Sequence, residues 1–122
     1  MSVAGVQEVM DRYFAAMGAG EDFSELFEES VTWLMVDSGQ QVRGRAAVRT
    51  YLDTLHAKML SGDNRELVVT HGHALLEGSS VNAGGDNGAG LAFCLVYDVS
   101  DSRITAMRCY GSLARLMPVD GG

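Results

Sequence analysis

At 122 residues the chain is long enough for one domain with one hydrophobic core, expected to span 1–122 with its core at about 3–117. A formal net charge of −7, with Lys and Arg scattered and Arg43, Arg45 and Arg49 the closest group, argues against a nucleic-acid partner. No apolar run approaches the roughly 20 residues of a membrane helix, and MSVAGVQEVMDRY lacks the basic-then-apolar order of a signal peptide, so a cytoplasmic protein with no membrane partner is expected.

Val3, Val6, Val9, Met10, Tyr13, Phe14 and Met17 recur at helical spacing, and Gly18 and Gly20 end that helix. In EDFSELFEES, Asp22 and Glu25 have the spacing of a capping box, which predicts a short second helix. Val31 to Val36, β-branched and apolar, predicts a strand, and Gln40 to Arg43 a brief partner for it across a turn at Asp37. From Arg45 a further helix places Val48, Tyr51, Leu52, Leu55, Met59 and Leu60 on one face, with Ser61 to Asn64 as its stop. The remainder reads as β: Glu66 to Leu76, a glycine-rich reversal at Val81 to Gly90, Leu91 to Tyr97, a turn at Val99 to Ser102, and Ile104 to Met117. Pro118 follows the last strand, where it breaks nothing.

The order predicts an α+β fold, with helices on one side of a curved antiparallel or mixed sheet. Helices over the concave face leave room for an apolar pocket. The other face, carrying Cys or Phe, Val and Tyr, is too apolar for water alone, and a second copy of the chain would cover it. Cys94 and Cys109 lie in apolar strands and read as buried free thiols. Trp33, Met35, Met17, Phe14, Leu52, Met59, Phe93, Leu95, Met107 and Cys109 are the candidate pocket wall, which suits a flat, apolar or aromatic ligand.

Few groups offer chemistry. His71 and His73 alternate by two and would share a strand face; one can act as a general base near neutral pH if that face lines the pocket. A third ligand is lacking, so no metal is expected. His56 adjoins the apolar helix face and can reach the pocket mouth. Asp37 ends the first strand, where an apolar rim would raise its pKa and suit it to proton abstraction. Each also has a plain structural reading, as a boundary or turn residue.

VMDRYFAAMGAGEDFSELFEESVTW, QVRGRAAVRTYL, the hairpins of the second half and ITAMRCYGSLARLM together resemble the nuclear transport factor 2-like superfamily, which includes SnoaL-like polyketide cyclases and ketosteroid isomerases. The resemblance covers Val3 to Met117. It implies a cone-shaped sheet wrapped on helices, a pocket at the wide end, and a homodimer through the sheet's outer face. It further implies a cyclase or isomerase that works without a cofactor on a polyketide-like or polycyclic carbonyl compound. Tyr13 matches the tyrosine of ketosteroid isomerases, and such a phenol can donate to a developing oxyanion. Their two aspartates fall at Met35 and near Leu95. The acids that epoxide hydrolases and several cyclases carry in the last strand fall within Met107 to Ser112, where Cys109 and Ser112 stand instead. The expected mechanism therefore uses His73, His71 or Asp37 as base, with Tyr13 steadying an enolate. The alternatives are a non-catalytic binder and a dimeric module whose own side chains fill the cavity.

Overall fold

A computed structural model describes residues 2–82 and 91–111. Helix α1 spans Val3–Gly18, and the Ser2 hydroxyl caps it by accepting from the Gly5 amide at 3.0 Å. Its face of Val6, Val9, Met10 and Tyr13 is buried, as the spacing predicts. The EDFSELFEES segment gives only a 3₁₀ turn, Ser24–Leu26. Asp22 there accepts from the amide and hydroxyl of its near neighbour Ser24, which is an Asx turn and not a capping box.

Strand β1 runs Phe27–Met35, and its inward residues Phe27, Val31, Trp33 and Met35 are buried. β2 is Gln40–Arg43, paired antiparallel to β1. Gly44 follows with φ +94°, a conformation that favours glycine. Its amide donates to Val31 O at 2.8 Å, and the Arg45 guanidinium donates twice to Phe27 O, at 2.8 and 3.1 Å. Those bonds tie the start of α2, Arg45–Ala57, to β1.

α2 is shorter than predicted. Met59 and Leu60 belong to β3, Met59–Val69, which continues through the Ser61–Asn64 segment read as a stop signal. Pairing to β4, His73–Asn82, decides this, with register shifts between Met59 and Ser61 and between Asn64 and Glu66 absorbing the turn-prone residues. The Glu66–Leu76 run is likewise divided. Gly72, φ +81°, turns the chain, and the Thr70 amide donates to His73 O at 2.8 Å.

β5 is Leu91–Ser100 and β6 is Arg103–Gly111. The predicted reversal at 83–90 and the predicted strand residues 112–117, like Pro118, lie outside the described residues. Asp101 and Ser102, both at positive φ, make a two-residue hairpin turn. That turn alone would set Cys109 opposite Cys94. A register shift between Asp98 and Val99 moves the pairing by one, so Cys109 faces Leu95 and Met107 faces Tyr97. Met107 and Cys109 consequently point inward and Arg108 and Tyr110 outward.

The sheet order is β2-β1-β6-β5-β4-β3, antiparallel except for β1 beside β6. Both helices pack on one face, in the α+β arrangement expected from the chain order. Two inward cross-strand rows form the floor: Leu76, Leu95, Cys109 and Met35, and then Ala74, Tyr97, Met107 and Trp33. No described helix is long and apolar enough to cross a membrane.

Candidate active site

Between helices and sheet lies a cavity of about 220 Å³. α1 contributes Tyr13, Phe14 and Met17; α2 contributes Leu52, Leu55 and His56. Trp33 closes it from β1, and Leu76, Phe93, Leu95 and Tyr97 from β4 and β5. Met59, Gly62 and Asn64 of β3 complete the wall. Gly62 and Asn64 are exposed and His56 and Met59 half-buried, so this side is the mouth, while the sheet floor is buried.

Three lining groups titrate. Burial raises the pKa of Tyr13 far above the normal phenol value, with the positive charge of Arg49 acting weakly against it. Tyr97 shifts the same way, through burial first and then its neighbour Tyr13, whose ring lies 6.0 Å away. Both hydroxyls therefore stay protonated and available as donors. His56 is pushed below its ordinary value by burial, against the raising effect of Asp53. At neutral pH it is an uncharged imidazole, able to take a proton.

Of the residues predicted for the wall, Tyr13, Phe14, Met17, Trp33, Leu52, His56, Met59, Phe93 and Leu95 line the cavity. Met35, Met107 and Cys109 are fully buried but do not reach it. Trp33 stands over Met35, its indole N–H directed at Met35 Sδ at 2.9 Å. Tyr51 packs on Trp33 with ring centroids 5.8 Å apart. The Tyr51 hydroxyl has no hydrogen-bond partner among the described residues. Burial, and then the nearby charge of Asp37, pushes the Cys109 thiol up to about 12, which favours the thiol over the thiolate.

The three predicted bases other than His56 lie elsewhere. Asp37 is an exposed residue of the turn joining β1 to β2. His71 is exposed in the bend before β4, so it does not share a strand face with His73. His73 points to the outer face, where its Nδ1 lies 2.9 Å from Asp98 Oδ1. Arg108 donates to both oxygens of that carboxylate, at 2.7 and 2.9 Å, and holds the Asp98 pKa below the usual range. None of the three can exchange a proton with a molecule in this cavity. Among the described residues no cluster of metal-ligating side chains occurs.

Sequence reasoning missed Leu55, Leu76 and Tyr97 as lining residues, although Tyr97 continues the Phe93, Leu95 alternation that was there to read. Gly62 and Asn64 carried no such signal, because their segment has the composition of a loop.

Comparison with known proteins settles the family. The SnoaL-like domain matches residues 10–107, most of the chain, and includes every described cavity-lining residue, Tyr13 to Tyr97. The chain belongs to the SnoaL-like domain family. Solved structures of this SnoaL-like fold support the architecture. A steroid delta-isomerase from Pseudomonas aeruginosa superposes with a TM-score of 0.78 at 12% identity, covering 93% of this chain and 86% of that one. A nuclear transport factor 2-like protein of unknown function from Mesorhizobium loti gives 0.76 at 18%, covering 89% and 92%. Another such protein, from Burkholderia xenovorans, gives 0.73 at 20%, covering 97% and 99%. No curated protein matches in sequence. At these identities the likeness establishes the nuclear transport factor 2-like α+β fold, related to that of ketosteroid isomerases, and not an activity.

Proposed function

We propose that this SnoaL-like protein is an acid–base enzyme, a cyclase or isomerase, acting on an apolar carbonyl compound held in the cavity. One observation carries the reading: among the described lining residues His56 alone can accept a proton near neutral pH, and burial favours its uncharged form. His56 takes a proton from the carbon next to the carbonyl, leaving an enolate. The Tyr13 or Tyr97 hydroxyl donates to the enolate oxygen, and the imidazolium returns the proton at a second carbon. The step conserves protons and electrons.

The test is turnover of a deconjugated enone and of a cyclisable aryl ketone by wild type and His56→Gln. An enzyme of this kind loses about 10²- to 10⁴-fold in kcat on losing its base, while ligand affinity stays within a few fold. Equal affinity with no wild-type turnover favours the second reading, a binder without chemistry. That reading draws on Met35, Leu95 and Cys109, which stand where relatives are expected to carry acids.

The same proposal assigns the sheet's outer face to a second copy of the chain. Val68, Leu75, Val96, Arg108 and Leu34 form one cross-strand row on that face. Val68, Leu75 and the neighbouring Tyr110 are 46%, 37% and 43% exposed, unusual for large apolar side chains grouped on a sheet. A two-fold contact would lay this row against itself.

A further inference from the structure

The cavity has a size and a polarity that its lining residues fix. Its volume of about 220 Å³ exceeds the roughly 150 Å³ of an apolar cavity that takes up benzene. It falls short of the roughly 300–1,000 Å³ of most drug-sized sites. The inner wall of Trp33, Leu76, Phe93 and Leu95 is buried and apolar, and His56 stands toward the mouth.

Phe93 is a wall residue whose ring lies directly over a glycine. It pairs with Gly78 on β4 and Gly111 on β6, so a glycine flanks it on each neighbouring strand. A Cβ on Gly78 would come within 2.8 Å of Phe93 Cζ and 2.5 Å of Asp63 O. The ring thus occupies the space a side chain at 78 would need. A Cβ on Gly111, at φ +100°, would come within 2.6 Å of Ala92 O. The two glycines allow the strands to close around Phe93, and its ring bounds the cavity on that side.

We infer that the cavity takes a compound of one or two fused rings, its ring system against Trp33 and Leu95 and its carbonyl edge toward His56. Phe93, seated on Gly78, is the specificity-determining residue that excludes three- and four-ring skeletons. The orientation rests on the acid–base reading above; the size limit rests on the cavity alone.

The experiment titrates the full chain with acetophenone, 1-tetralone and a four-ring steroid ketone, following fluorescence of Trp33, the sole tryptophan, and the thermal midpoint. The two-ring ketone is expected to saturate, the one-ring ketone to bind more weakly, and the four-ring ketone not to bind. Phe93→Ala should gain about tenfold or more for the four-ring ketone and lose affinity for tetralone. Phe93→Leu, the milder cut, should show the same change in smaller measure and covers the case in which the alanine variant does not fold. Wild-type binding of the steroid ketone as tight as that of tetralone, failure of all three to bind, or Phe93 variants with unaltered preference would overturn the inference. His56→Gln is titrated in parallel. Saturable tetralone binding that is the same in wild type and His56→Gln, with no turnover of the deconjugated enone or the cyclisable aryl ketone by either, leaves the size limit standing and removes the acid–base reading.

Discussion

His56 and Asp98 show how one direction of shift has opposite consequences in two residue types: it favours the neutral imidazole and the charged carboxylate. His56 is depressed by burial, so its neutral form is favoured in the folded chain. The stability this represents is complete above the unfolded histidine value of about 6.5 and is lost as pH falls through the lower folded value. Activity should follow the same group: kcat/KM is expected to decline on an acid limb with an apparent pKa below about 6.5. Any residual rate of His56→Gln should lack that limb. A pH–rate profile of both proteins checks it. Asp98 is depressed by its hydrogen bonds to Arg108, ahead of that from His73. Its contribution is present above the ordinary carboxylate value and disappears as pH falls through the folded one. Asp98→Asn should cost about 1 kcal/mol at pH 7, since the cluster is partly exposed, and the difference should vanish in acid. Urea unfolding at both pH values measures this.

At the scale of elements, glycine placement and local register shifts shape the sheet. Gly78 accepts no side chain, because Asp63 O and the Phe93 ring occupy the space. Gly78→Ala should therefore destabilise by about 1–3 kcal/mol through overpacking, seen as a lower thermal midpoint. Ligand affinity should fall with it, since the only soft neighbour is Phe93 and its displacement invades the cavity. The register shift between Asp98 and Val99 has a comparable effect on chemistry. Without it the two-residue turn at Asp101–Ser102 would turn Arg108 inward and Met107 outward. With it, the guanidinium meets Asp98 on the outer face.

For the whole molecule, the two sheet faces divide the work. The helix-covered face holds the cavity, and the opposite face offers the apolar row proposed to pair with a second copy. Leu75→Glu within that row should convert the proposed dimer to a monomer in sedimentation velocity at micromolar concentration. An intact Trp33 fluorescence signal would confirm that the fold survives. A wild-type protein that sediments as a monomer would overturn the pairing.

The sequence by itself determined the α+β class, the amphipathic face of α1, the β1–β2 hairpin and most of the pocket wall. These follow from local periodicity and turn chemistry, which nearby residues dictate. Tyr13, Phe14, Met17 and Trp33 were legible because their spacing on one helix and one strand already points them inward. Only the tertiary structure decided which histidine faces the cavity. His56 and His73 are equally plain in sequence, but a helix packed on the sheet half-buries the first at the cavity mouth. Strand pairing opposite Asp98 turns the second outward. Tertiary pairing also drew Met59 to Asn64 out of a predicted helix and stop into β3, because partners on β4 outweigh local preference. The register shift beside the Asp101–Ser102 turn likewise depends on contacts between strands, and no count of residues along one strand reveals it.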